Sequence, residues 1–71
     1  MDVQFKYKNS NKFYFVEDCV KDGILMFRVE EVKWNKNNES NDRINLFLLT
    51  PASFAAWYNN IMENGWEITH H

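Results

Sequence analysis

Glycine, proline and cysteine are scarce in this chain of 71 residues, which contains two glycines, one proline and one cysteine. With two glycines, the chain cannot build the glycine-rich loops that cradle phosphate groups, and it contains no G-x-S-x-G nucleophile turn. With one cysteine it cannot form an internal disulfide, which sets it apart from small secreted scaffolds. The sequence therefore lacks the common signatures of nucleotide binding, of serine hydrolysis and of disulfide cross-linking.

Long apolar runs and an excess of charge of one sign are also missing. The longest apolar runs, residues 24–27 and 46–49, have the length of strands, far below the roughly 18 residues of a membrane span. No signal segment is recognisable, so no membrane partner is expected and the cytoplasm is the expected compartment. The net charge is −2, whereas nucleic-acid binders are usually basic and mimics of nucleic acid strongly acidic.

Aromatic residues, in contrast, are plentiful: six Phe, three Trp and three Tyr. The length predicts a single domain, residues 1–71. Such a small domain is marginally stable, and each enclosed aromatic side chain buries roughly 150–250 Å². This supply is sufficient for one core but not for a core and a deep pocket, so neither a cofactor nor a small-molecule substrate is expected.

One segment, residues 51–64, carries a full set of helix signals. Thr50 is placed to cap the first turn, Pro51 suits the first helical position, and Gly65 suits a left-handed residue that ends the helix. At 100° per residue, one stripe of this helix is apolar. Its members are Phe54, Trp57, Tyr58 and Ile61. We expect this stripe to form the helix's half of the core.

The rest of the chain has the alternation and composition of strands. The predicted strands are residues 3–7, 13–16, 24–34, 43–49 and 66–69. The order ββββαβ predicts an α+β fold: a mostly antiparallel sheet of four to five strands with the helix packed on one face. The last strand is expected either parallel to the fourth or at the other edge of the sheet, and the sequence leaves both positions open.

The Asp22-Gly23 pair is the strongest hairpin signal, and it allows two registers. A two-residue loop places Lys21 opposite Ile24 and Glu17 opposite Arg28. A three-residue loop with a glycine bulge shifts the ladder by one residue. That second register puts Phe13, Phe15 and Cys19 on one face with Leu25, Phe27 and Val29. It collects more apolar surface on one side, and the sequence favours it for that reason.

The third strand changes parity along its length. Leu25, Phe27 and Val29 keep one parity, and Val32 and Trp34 keep the other. A bulge or bend near Glu30-Glu31 would return both sets to one core. The polar segment 35–42 that follows is expected to be an exposed loop.

Candidate catalytic and metal-binding residues are few. A nucleophilic Cys19 would need a histidine base, and the two histidines, His70 and His71, are the final residues of the sequence, where we expect a frayed end. Adjacent histidines do not provide zinc-ligand spacing. The carboxylate pairs 17–18 and 30–31 lie in strands, where neighbouring side chains point to opposite faces. Neither an enzyme nor a metal site is predicted.

The surplus of apolar side chains predicts an interaction surface instead. One helix covers one face of a sheet, and the other face must be polar or must bind a partner. In the favoured register, the candidates for that second face are Tyr14, Val16, Ile24, Met26 and Trp34. The leading hypothesis is a protein-binding module or a homodimer. Ten asparagines together with frequent lysine suggest an AT-rich genome, and hence an accessory or inhibitor protein of a phage or mobile element.

Single-stranded nucleic-acid binding is the alternative function. Aromatic rings beside lysines on a strand can stack on bases while the ammonium groups neutralise phosphates. The candidates are Lys6, Tyr7, Lys8, Lys12 and Tyr14. Acidic residues at positions 17, 18 and 22 follow immediately, which argues against a continuous cationic groove.

Overall fold

The computed structural model describes residues 2–7 and 10–70, which form one antiparallel sheet and one helix. The elements are β1 (Asp2–Tyr7), β2 (Lys12–Lys21), β3 (Ile24–Asn35), β4 (Ser40–Leu49), α1 (Pro51–Glu63) and β5 (Trp66–His70). The predicted α+β fold with the order ββββαβ is confirmed.

The five strands lie in the order β4-β3-β2-β1-β5, and all neighbours are antiparallel. The last strand therefore takes the second of its two expected positions, at the edge opposite β4. There Phe5 pairs with Ile68 and Tyr7 pairs with Trp66, so β5 adds apolar side chains beside those of β1. Helix α1 connects the two edges of the sheet.

The β2–β3 hairpin has the two-residue register, and the favoured three-residue register is wrong. Asp22 and Gly23 both have positive φ, 53° and 78°, and Lys21 pairs with Ile24. Because both turn residues tolerate left-handed φ, the tight turn closes without a bulge. Val16 consequently pairs with Val29 on the helix side, and both are buried.

The ladder between β3 and β4 shifts register between Glu31 and Val32. The extra residue, Ile44, belongs to β4, while the β2–β3 ladder continues without a break. Val32 and Trp34 therefore stay on the face opposite Val29. The expectation that a bend in the third strand returns them to the same core is wrong, because the bulge lies in the neighbouring strand.

The polar segment between β3 and β4 is shorter as a loop than expected, because both strands extend into it. Asn35 pairs with Ser40 and organises the turn through its side chain. Its Oδ1 accepts hydrogen bonds from the amides of Asn37 and Asn38, and its Nδ2 donates to Asp42 at 2.9 Å. Asparagine side chains commonly stabilise turns in this way.

Helix α1 begins at the residue that the sequence indicates and ends at Glu63, one residue before the predicted end. The Thr50 hydroxyl accepts a hydrogen bond from the Ser53 amide at 3.2 Å, Pro51 is the first helical residue, and Gly65 follows the helix with φ of 91°. These contacts satisfy backbone groups that a helix end otherwise leaves unpaired. In the described part of the chain, no helix is long and apolar enough to cross a membrane.

The core lies between α1 and one face of the sheet. Its buried residues are Val3, Phe5, Val16, Val29 and Ile61. Half-buried side chains that pack around them include the predicted stripe residues Phe54, Trp57 and Tyr58. Phe5 is at the centre, with ring centroids 5.8 Å from Trp57 and 5.9 Å from Tyr58 in edge-on contacts.

Candidate functional site

The sheet face opposite α1 is the candidate functional site, and we call it the open face. Directly paired residues of neighbouring antiparallel strands share a face, so the register assigns its members. They are Gln4, Lys6, Phe13, Phe15, Glu17, Cys19, Lys21, Ile24, Met26, Arg28, Glu30, Val32, Trp34, Asn41, Arg43, Leu46, Leu48 and Glu67. No helix or strand of the described residues packs against this face.

A row of alternating charges crosses the middle of the open face. Glu17, Arg28, Glu30 and Arg43 form this charge row, which runs from β2 across β3 to β4. Its successive contacts are 3.4 Å from Glu17 to Arg28, 3.8 Å from Arg28 to Glu30, and 2.6 Å from Glu30 to Arg43. The row carries no net charge, and its side chains are partly exposed.

An aromatic cluster lies at the Arg43 end of the charge row. It consists of Phe13, Phe15, Val32 and Trp34. The two phenylalanine rings stack with centroids 6.2 Å apart, and Val32, which pairs with Phe13, is only 2% exposed. Val32 is not part of the helix-side core, so the sheet has a second, smaller buried position on its open face. Lys6 Nζ lies 5.9 Å from the Phe13 ring centroid.

An aliphatic cluster lies at the Glu17 end of the row. It consists of Cys19, Ile24, Met26 and Leu48. Cys19 pairs with Met26, and Leu48 pairs with Arg28 of the row. Ile24 is 61% exposed and Leu48 is 40% exposed. The open face therefore presents apolar surface at both ends of a neutral charge row.

Three of the five predicted interface residues lie on the open face, and two do not. Ile24, Met26 and Trp34 are there, as the register requires. Val16 is 2% exposed within the core, and Tyr14 packs on that core on the helix side. The wrong assignment of these two residues follows from the wrong register, because in the observed register Tyr14 and Val16 have the parity that faces α1.

The sequence prediction missed open-face residues in two strands: those of β2 follow from the same error, and those of β4 depend on its pairing with β3. Phe13 and Phe15 lie in β2, and Leu46 and Leu48 lie in β4. The signal that identifies the two phenylalanines is the turn chemistry of Asp22-Gly23, which fixes the two-residue register and with it the face of every β2 residue.

The nucleic-acid candidates do not share one surface. Lys6 lies on the open face, whereas Tyr7 contacts Trp66 (centroids 5.2 Å apart) on the helix side. Lys12 and Tyr14 have the parity of the helix side, and Lys8 lies outside the described residues. The four described candidates therefore do not line a single groove.

Within the described residues, the neighbouring carboxylates of Glu30 and Glu31 lie on opposite faces of the sheet. Glu30 belongs to the charge row, whereas its neighbour Glu31 accepts a hydrogen bond from the Tyr14 hydroxyl on the other face. Cys19 is half-buried, and the ring of His71 lies outside the described residues. Within residues 2–7 and 10–70, no three His, Cys, Asp or Glu side chains are grouped to hold a metal ion.

Tyr14 has a raised pKa, which predicts a loss of stability in alkaline solution. Burial raises its pKa, and the charge and hydrogen bond of Glu31 raise it further. In the unfolded chain the Tyr14 hydroxyl ionises near pH 10.0, below its pKa in the folded protein. The stability that the neutral hydroxyl contributes is therefore complete below pH 10.0 and is lost as the pH rises through the folded pKa. Urea unfolding from neutral pH to pH above 10 should show a smaller alkaline loss for Tyr14→Phe than for the wild type.

Glu31→Gln is the matched variant for this measurement. It removes the charge beside Tyr14 and keeps an acceptor for its hydroxyl, so its alkaline loss should fall between those of the wild type and Tyr14→Phe. Parallel curves for all three proteins would contradict the assignment to Tyr14.

No protein-family model matches this chain, and comparisons with curated proteins and with solved structures found no match.

Proposed function

We propose that this protein is a non-enzymatic binding module whose open face docks a protein partner. The observation that carries this proposal is the amount of apolar side chain exposed on that face. Trp34 is 39% exposed, and Leu46 and Leu48 are each 40% exposed. An antiparallel sheet with a solvated face normally carries polar side chains there, and protein interfaces are enriched in aromatic residues, methionine and arginine.

The charges of the open face favour protein over nucleic acid as the partner. Its cationic side chains are Lys6, Lys21, Arg28 and Arg43, and its acidic side chains are Glu17, Glu30 and Glu67. Both arginines are already within 4 Å of a carboxylate. A phosphate backbone would meet almost as many negative as positive groups, and phosphate contacts supply most of the affinity in nucleic-acid binding.

Site-specific photo-crosslinking tests the proposal. A photoreactive phenylalanine analogue at Leu46 reports on the open face, and the same analogue at Asn59 reports on the exposed side of α1. In lysate of the native host, we expect a covalent protein adduct at Leu46 that is lost when Trp34 is also changed to alanine. Adducts at neither position, or equal adducts at both, would contradict docking through the open face.

A titration with fluorescent poly-dT tests the alternative function. Electrostatic binding is tightest at low salt, so the measurement is made at about 50 mM. We expect no binding. Saturable binding that is lost in Phe13→Ala would replace the proposed function with single-strand binding. The expected cytoplasmic location and phage or mobile-element origin stay predictions.

A further inference from the structure

We infer that the partner of the open face is a second copy of this chain, turned over by a two-fold axis that lies in the interface plane. This inference rests on the proposed function and names its partner. The two open faces would pack against each other as a sheet sandwich, with α1 on the outside of each subunit. Two-fold dimers of this kind require a surface that is complementary to itself.

The charge row meets that requirement. It begins with an acid and ends with a base, in the order Glu17, Arg28, Glu30, Arg43. A two-fold axis that crosses the row at its middle reverses this order in the second copy. Each Glu17 then faces the other subunit's Arg43, and each Arg28 faces the other subunit's Glu30. A row of alternating charges with an odd number of members, or a row of one sign, would place like charges opposite each other.

The apolar clusters meet the same requirement. Arg43 lies in the cross-strand row of Phe13 and Val32, whereas Glu17 lies one step along the strand from the pair of Cys19 and Met26. The same axis exchanges the two ends of the face. It therefore places the aromatic cluster of one subunit over the aliphatic cluster of the other, and methionine packs favourably against aromatic rings.

The dimensions of the face suit a stable dimer. The two longer extents of the molecule, 40 and 26 Å, bound a face of about 1,000 Å², and a standard interface buries roughly 800 Å² on each partner. Pairing through a sheet edge is less favourable. The β4 edge is interrupted by the bulge at Ile44, and β5 has only five residues.

Charge reversal at the two ends of the row tests this arrangement. Sedimentation equilibrium over a dilution series should show a wild-type dimer. Arg43→Glu and Glu17→Arg should each raise the dissociation constant tenfold or more, because each substitution acts twice in a two-fold dimer and like charges across an interface are costly. An equimolar mixture of the two variants, and the double variant Glu17→Arg/Arg43→Glu, should both restore the dimer.

The double variant separates an intersubunit role from a role within one subunit. Within the monomer, Glu17 contacts Arg28 and Arg43 contacts Glu30, so the double substitution breaks both contacts and restores neither. Only pairing between subunits predicts rescue. Lys33→Glu is the matched control for Arg43→Glu, because it also replaces a positive charge with a negative one. Lys33 lies in β3 with the parity of the helix side, so this variant should leave the dimer intact. Circular dichroism verifies that each variant is folded.

The outcomes distinguish this inference from the proposed function. A wild-type monomer at all concentrations, or a double variant that stays dissociated, would overturn the dimer. If the adduct at Leu46 in host lysate then contains a different protein, the proposed function stands with another partner. If the purified chain forms an adduct at Leu46 with twice the mass of the subunit, and if the charge-reversed pair restores association, the second copy is the partner.

Discussion

Replacing Phe5 with alanine is expected to lower the free energy of unfolding by about 3–5 kcal/mol. Phe5 is 1% exposed and lies at the centre of the core, on a strand that has neighbours on both sides. A chain of this length has a total stability of roughly 4–11 kcal/mol. The substitution therefore removes a large share of the stability. If the wild-type stability is at the low end of that range, the variant is unfolded at 25 °C.

Urea unfolding followed by far-ultraviolet circular dichroism measures this loss. Phe15→Ala is the matched control, because it removes the same side chain from the other face of the same sheet, where Phe15 is only half-buried. We expect the control to lose less than half as much stability. Equal losses would mean that the two faces contribute equally to folding, contrary to the distribution of buried residues.

Replacing Trp57 with alanine has the second largest expected effect, about 3 kcal/mol, at the lower end of the range for buried aromatic residues because Trp57 is half-buried. The Trp57 ring lies within 6.3 Å, centroid to centroid, of four other rings: Phe5, Tyr14, Phe47 and Phe54. Three of these belong to β1, β2 and β4, so one side chain joins α1 to strands across the sheet. Its loss leaves the helix with fewer contacts to hold it on the sheet.

Near-ultraviolet circular dichroism and urea unfolding together report on Trp57→Ala. Asn59→Ala, on the exposed side of the same helix, should change stability by less than about 0.5 kcal/mol. Because Trp57 and Phe5 are in contact, the double variant should lose less stability than the two single losses combined. Additive losses would show that the edge-on contact of the two rings contributes nothing to the core.

The helix and the order of the elements along the chain could be predicted from the sequence because their signals are local. Thr50, Pro51 and Gly65 mark the ends of α1 within one turn of the chain, and the alternation of β1 is visible in six residues. Capping and hydrophobic periodicity depend on neighbours in sequence, so they can be recognised before any tertiary contact is known.

The register of β2 and β3 could not be found by counting apolar residues. That count assumes one core, whereas this sheet has a buried residue on each face, Val29 on one and Val32 on the other. Both registers therefore bury apolar side chains, and the count does not discriminate between them. The conformation of Asp22 and Gly23 discriminates, because the left-handed φ of both residues fits the two-residue turn.

The position of β5 and the bulge in β4 depend on contacts between distant residues. Phe5 pairs with Ile68 across almost the whole length of the chain, and no local pattern near Trp66 indicates which edge of the sheet it will join. Ile44 has no glycine beside it, and its neighbour Asn45 does not by itself indicate a bulge, because asparagine is frequent throughout this chain. The membership of the open face near Arg43 was therefore not predictable from the sequence.

The pairing of β1 with β5 has a consequence for how the protein folds during synthesis. Strands β1 to β4 form a series of hairpins between neighbours, which can assemble in order as the chain leaves the ribosome. The outer edge of β1 has no partner until residues 66–70 have been made. Until then Phe5 lacks Ile68, its neighbour on the adjacent strand. Of these five strands, β1 is made earliest and is among the last to be fully paired, and long-range closures of this kind slow folding.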